Sequence, residues 1–292
     1  MNLSIIGIGR KADYMEHIDQ QFLTGERALF RGKDLLITNT VFDDGESPLK
    51  HSENIVADGC LFRWKYPFWY SKNIEIKNSV LFEMARAGIW YTDNVLVKDT
   101  MIEAPKEFRK CNGVTLENVS IPNAAETFWN CNNVTLDKVT AKGDYFAMGC
   151  VDVKLKDFEL YGNYSFDGAK NVEADNCKFL SKDCFWNAEN IVIRNSFISG
   201  EYFGWNSKNI TLIDCTVESL QGMCFIENLV MKNCKIINTT LAFEYSTVDV
   251  ECTTKIDSVK NPISGVIKAP AIDELILEED IIDPSKTTIT TN

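Results

Sequence analysis

The stretch Asn73-Ile74-Glu75-Ile76-Lys77-Asn78 returns 21 residues later as Asn94-Val95-Leu96-Val97-Lys98-Asp99, and again as Asn190-Ile191-Val192-Ile193-Arg194-Asn195 and Asn209-Ile210-Thr211-Leu212-Ile213-Asp214. Partial copies open at Asn133 and Asn171, and degenerate ones at Asp34, Asn54, Gly113, Asp152 and Asn228, so the frame advances by 19 to 21 residues at every step from 34 to 228. A fixed interval of this size marks a solenoid, in which each repeat is one small unit and stacking the units buries a continuous core.

Counting from the first residue of each frame, positions +1 and +3 are aliphatic while +2 and +4 are mostly polar, as in Ile74 and Ile76 against Glu75 and Lys77. Alternation of period two is a strand with one buried face. Two more apolar positions recur, at +8 (Phe62, Leu81, Phe179, Ile198) and at −5 (Phe68, Phe108, Phe128, Phe166, Phe185). Three buried stretches in a repeat this short leave no room for a helix, which excludes leucine-rich, ankyrin and tetratricopeptide arrays. The left-handed β-helix is built from hexapeptides, and nineteen is not a multiple of six. The pattern therefore predicts an all-β chain folded as a right-handed parallel β-helix of about 11–12 coils with a roughly 19-residue period. The predicted boundaries are an N-terminal cap over 1–28, with 14–22 as a short helix or irregular cover, the β-helix over 29–252 and a closing cap over 253–292.

The Asn rows repeat in nearly every coil, so they read as turn residues that tolerate left-handed backbone and hydrogen-bond from coil to coil. The cysteines also follow the frame. Cys60, Cys177, Cys215 and Cys234 stand at +6 and Cys111, Cys131 and Cys150 at −2, where other frames carry Ser, Thr or Ala, so cysteine acts as a small buried residue. With neither a secretory leader nor a membrane-length apolar run legible, the expectation is a cytoplasmic protein with reduced thiols and no membrane partner. A net charge of −12 argues against wrapping nucleic acid, whose phosphates need Lys and Arg.

The 292-residue length, the Phe128-Trp129-Asn130 and Phe185-Trp186-Asn187 blocks, and the ending from Lys260 to Asp280 resemble a bacterial family of about 290-residue proteins known only as a domain of unknown function. The resemblance spans essentially the whole chain. That family looks like the pectin-lyase-like group of right-handed β-helices, and it implies no activity and no catalytic residues.

Candidate chemistry comes from the registers that vary. Trp69, Trp90, Trp129, Trp186 and Trp205, five of the six tryptophans, share position −4. If the −5 residues point inward, alternation turns these indoles outward into a flat row on which sugar rings stack. A second row at −7 carries Tyr145, Tyr164, Tyr202 and Asp183. Glu107, Glu126 and Asp144 fall at nearly matching points of successive coils, and a separation of about 5 Å between two such carboxyls would suit a retaining glycoside hydrolase. The same acids could hold Ca²⁺ for a polysaccharide lyase, with Arg109 as base or substrate clamp; no dedicated metal site and no other cofactor is legible. The expected ligand is a carbohydrate or oligosaccharide on this face. The rival reading is an inert scaffold that uses the aromatic face to form a homo-oligomer or hold a protein partner. The two histidines, His17 and His51, support no nucleophile triad.

Overall fold

The computed structural model describes residues 14–291. Parallel strands pair in one long ladder from Glu16–Asp19 through Lys33–Thr38, Glu53–Asp58 and Lys72–Lys77 to Thr247–Cys252, Ser264–Ala269 and Thr287–Thr291. The result is a parallel β-solenoid of about 15 turns with a ~19-residue period. That exceeds the eleven or twelve coils that the Asn frames mark, because the ladder continues on both sides of 29–252. Residues 16–19 and 22–23 form strands paired with 35–38 and 41–42, not a helix, and 264–269 and 287–291 add two further rungs beyond the point where the frame decays. Backbone pairing needs no particular side chain, so coils can persist where the sequence motif has faded. Residues 1–13, within the expected N-terminal cap, lie outside the described part.

A second wall stacks beside the first, from Phe22–Leu23, Val41–Phe42, Leu61–Phe62 and Val80–Leu81 to Phe197–Gly200 and Thr216–Ser219. The +1, +3 and +8 residues of both walls point inward, and Ile37, Ile76, Phe62 and Phe179 are fully buried. The first residues of the frames, at the head of the first wall, form side-chain ladders in two runs. Asn54 donates Nδ2 to Asp34 Oδ1 (2.7 Å), Asn73 to Asn54 (2.9 Å) and Asn94 to Asn73 (2.9 Å), and a second run climbs from Asp152 through Asn171, Asn190 and Asn209 to Asn228. Each run starts on Asp because the first rung has only to accept. All these residues have φ between 53° and 65°, the left-handed region that Asn enters at low cost.

The third side departs from expectation. It forms no continuous strand; positions −7, −5 and −3 adopt left-handed backbone, as in Glu126 (φ 53°), Phe128 (60°) and Asn130 (53°), or Lys106 (62°), Phe108 (55°) and Lys110 (52°). Hydrogen bonds still link the coils, and they run in both directions: Glu126 N–H donates to Asp144 O in the next coil, while Phe128 N–H donates to Glu107 O in the previous one, each at 2.9 Å. Left-handed residues break the alternation of a strand, so −6 and −5 both face inward. The core accommodates the pair by making one large and the other small: Thr127/Phe128, Phe146/Ala147, Ser165/Phe166, Cys184/Phe185 and Phe203/Gly204, all buried. The rings stack along the axis, Phe108 on Phe128 at 4.5 Å and Phe166 on Phe185 at 4.7 Å.

Small polar residues at −2 complete this side. Ser71 Oγ donates to Leu49 O (2.9 Å), Cys131 Sγ to Phe108 O (3.1 Å) and Ser207 Oγ to Phe185 O (2.6 Å), in each case capping the −5 carbonyl of the coil below. That shared task explains why Cys, Ser and Thr interchange there. All ten cysteines are buried and unpaired, and burial pushes the Cys60 and Cys177 thiols up to about 11. No helix among the described residues is long and apolar enough to cross a membrane.

Candidate functional site

The five tryptophans at −4 lie on the turn-rich side, but they do not form a platform of exposed faces. Trp69 stacks on Trp90 (5.2 Å, 8° between planes), and the Arg109 guanidinium fills the gap between Trp90 and Trp129, 4.5 Å and 4.4 Å from their ring centres. Trp186 leans on Trp205 (6.2 Å), and Trp205 meets Phe225 (4.6 Å). The rings therefore stack along the solenoid axis and present their edges to solvent, leaving each indole half-buried. Four of the five N–H groups are engaged within the protein: Trp69 Nε1 donates to Ala87 O (2.5 Å), Trp90 to Lys106 O (2.7 Å), Trp129 to Tyr145 O (2.8 Å) and Trp186 to Tyr202 O (2.7 Å). Each bond ties position −4 to the −7 carbonyl of the next coil. The expected indole faces are covered because residues in one register sit one coil apart, the spacing at which flat rings stack.

A second aromatic row, overlooked in the sequence, runs beside the first at −3. Phe30 meets the edge of His51 (5.7 Å), His51 stacks on Tyr70 (5.2 Å), and Tyr70 on Tyr91 (4.8 Å, 4°). Lys110 Nζ then lies 5.8 Å from the Tyr91 ring centre. The signal was present as His51, Tyr70 and Tyr91 in one register, directly after the tryptophans. Tyr70 is 46% exposed and Tyr91 37%, and with Tyr145 (43%) and Phe225 (38%) they account for four of the six exposed large aromatics among the described residues, the others being Tyr14 and Phe22. At −7, Tyr145 stacks on Tyr164 (5.1 Å), and Tyr202 sets its ring against Trp205 (5.8 Å).

The three candidate catalytic acids do not converge. Glu107 stands at −6 and is completely buried, its carboxylate accepting from Gly88 N–H at 2.8 Å. Burial raises its pKa well above the ordinary carboxyl value, against the lowering effect of the Gly88 and Ile89 amides. It is the misfit in its register, and Gly88 in the coil below makes room for it, since a Cβ there would lie 2.7 Å from Glu107 Oε2. The expected pairing of Glu107 with Glu126 across adjacent coils fails because −6 turns inward with −5. Glu126 reaches the surface but is held by two cations, Lys106 Nζ at 3.1 Å and Arg109 Nη2 at 3.3 Å. Asp144 is exposed and accepts from Asn163 N–H at 2.8 Å, capping the next coil. Asp183 is almost wholly buried with Oδ1 unpartnered, and desolvation, helped by the nearby Glu201 and opposed by Lys182, raises its pKa.

No group of three or more His, Cys, Asp or Glu among the described residues is arranged to hold a metal ion. The marked surface depressions lie on other faces. One of about 370 Å³ is lined by Ser120, Ile121, Pro122, Thr140, Lys142 and Tyr161, and another crosses the outer face of the first wall at Lys154, Glu173, Asp175 and Arg194. The aromatic side is a strip of half-buried and exposed rings.

The sequence family described as "Protein of unknown function (DUF3737)" matches residues 16–290. No curated protein matches the chain. Among solved structures, similarity is found to the A-module of the Azotobacter vinelandii mannuronan C-5 epimerase (10% identity, 96% of this chain and 90% of that one, TM-score 0.36). It is found also to the tailspike of E. coli bacteriophage HK620 in complex with a pentasaccharide (9% identity, 88% and 60%, TM-score 0.36) and to PfbA, a surface adhesin of Streptococcus pneumoniae (10%, 88% and 71%, TM-score 0.26). At these scores no argument about this chain's ligand passes from them.

Proposed function

The chain belongs to the DUF3737 family, a membership that supplies no activity, and from its own surface we propose that the turn-rich side binds an extended carbohydrate chain along its length without cleaving it. The observation that carries this reading is the spacing of the stacked rings at −3, measured between ring centres. His51, Tyr70 and Tyr91 follow one another at 5.2 Å and 4.8 Å, a repeat close to the length of one pyranose unit in an extended polysaccharide, so one sugar can meet one coil. Phenol hydroxyls and ring edges at the tips offer hydrogen bonds and apolar contact together, the mixture that sugar recognition uses. Stacked rings are held in place before the ligand arrives, which lowers the ordering cost of binding. Binding without cleavage is supported by the separation of the three candidate acids, Glu107 being buried on Gly88 N–H, Glu126 paired with Lys106 and Arg109, and Asp144 accepting from Asn163 N–H.

The test is a glycan array probed with the wild-type chain and a Tyr70→Ala/Tyr91→Ala variant, with the mass of each in solution measured by light scattering. Loss of oligosaccharide signal at unchanged mass supports the proposal. If the variant keeps its signal but halves its mass, the aromatic strip is instead a self-association surface.

A further inference from the structure

The strip is not uniform in charge. Its first coils carry Arg27, Arg31, Lys50, Arg109 and Lys110, whereas the later ones carry Asp144, Asp167, Asp183 and Glu201. In a chain with 42 acidic and 30 basic residues, a run of cations on one side of a few adjacent coils is not a consequence of composition. Arg27, Arg31, Lys50 and Lys110 have no acidic partner within 4 Å among the described residues. Each is instead seated on a ring. Arg27 and Arg31 each lie 5.3 Å from the Phe30 centre, Lys50 lies 5.6 Å and 5.5 Å from Trp69 and Tyr70, and Lys110 lies 5.8 Å from Tyr91. A cation held on an aromatic face keeps its charge and loses freedom, so it is ready to meet an anion.

Resting on the carbohydrate reading above, we infer that the binding segment is the one from Arg27 to Lys110 and that its ligand is an anionic polysaccharide, a chain of uronate or sulfated sugars lying parallel to the solenoid axis. The rows of rings would supply contacts along the chain, and the cations at the two ends of the segment, Arg27, Arg31 and Lys50 at one and Arg109 and Lys110 at the other, would fix its acidic groups. His51 reports the local potential. Burial lowers its pKa first, and Lys50, Arg31 and Arg27 each lower it further, while the rings of Phe30 and Tyr70 pack against it. An anion laid across them opposes their effect, so ligand binding raises the His51 pKa.

The chain has two histidines, and His17 lies away from the strip, bonded to Thr38 Oγ1 in the first wall. A histidine-ring NMR titration of the full chain, with and without an oligouronate hexamer, therefore separates site from control. The expected result is an upward shift for His51 with His17 unmoved, and affinity reduced about tenfold in a Lys50→Gln/Lys110→Gln variant. A neutral cello-oligosaccharide that binds as tightly and leaves His51 unmoved would overturn the anionic assignment while sparing the carbohydrate reading. Absence of binding by either sugar would overturn both. Tighter binding of an oligo-dT strand than of the hexamer would assign the strip to nucleic acid and overturn the proposal.

Discussion

The turn-rich side contains two tryptophan runs that share a register and a backbone yet differ in everything around them. In the first, Trp69, Trp90 and Trp129 are interleaved with Arg109 and flanked by the His51–Tyr70–Tyr91 row. In the second, Trp186 and Trp205 are flanked by Asn187 and Asn206, which form another amide ladder from Asp167 upward (2.8 Å at each step). In both runs the indole N–H closes on the −7 carbonyl of the next coil. What the runs have in common is architecture, and what separates them, the cations and the tyrosines at −3, is where recognition is sought.

The largest expected difference between the halves is at −4. Arg109→Ala should cost about 2 kcal/mol, since it uncovers two indole faces and strips Glu126 of a partner, whereas Asp167→Ala in the same register of the second half should cost about 1 kcal/mol for one side-chain hydrogen bond. Urea unfolding of the two variants checks this, and equal losses would mean that the cation stack adds nothing.

A second difference is acid–base. The first half buries a carboxyl at −6, Glu107, where the second half has Ser165, Cys184 and Phe203. Its folded pKa is raised above the ordinary 4.5, so the native state holds a proton that the unfolded chain gives up. Its favourable contribution is complete below about pH 4.5 and is lost as pH rises toward the folded pKa. Glu107→Gln should flatten that decline and stabilise the protein at neutral pH, measured as melting temperature against pH. An unchanged profile would show that Glu107 reaches solvent.

Where the halves are alike, the same change should have the same consequence. Trp129→Phe and Trp186→Phe each delete one indole hydrogen bond, at 2.8 Å and 2.7 Å, and each should cost about 1 kcal/mol. The smallest effect concerns charge. Glu126→Gln releases Lys106 and Arg109 from their carboxylate and should strengthen binding of an oligouronate about threefold, in line with the value of an exposed ion pair. A loss of affinity would mean that Glu126 itself contacts the ligand.

The contrast between walls and turns also explains what the sequence could reveal. The two strand walls were legible because Ile74, Ile76 and their equivalents obey period two, and the Asn corners because left-handed geometry selects Asn at fixed positions. The third side was misread from Phe128 and its equivalents. Extending strand parity from an inward Phe128 turns −6 outward together with −4, but left-handed residues at −7, −5 and −3 cancel that parity and Glu107 at −6 is buried. The large-and-small pairing at −6 and −5, visible in Phe146-Ala147 against Thr127-Phe128, held the correct answer. Coils outside 29–252 are not legible in the sequence because backbone pairing leaves no mark on side-chain choice.

The most direct test of the assignment is a matched pair of substitutions read by titration calorimetry with an oligouronate hexamer: Tyr91→Ala in the first run and Tyr202→Ala in the second. The account predicts about a tenfold loss of affinity for Tyr91→Ala and wild-type affinity for Tyr202→Ala. Equal losses in both, or a loss only for Tyr202→Ala, would contradict it.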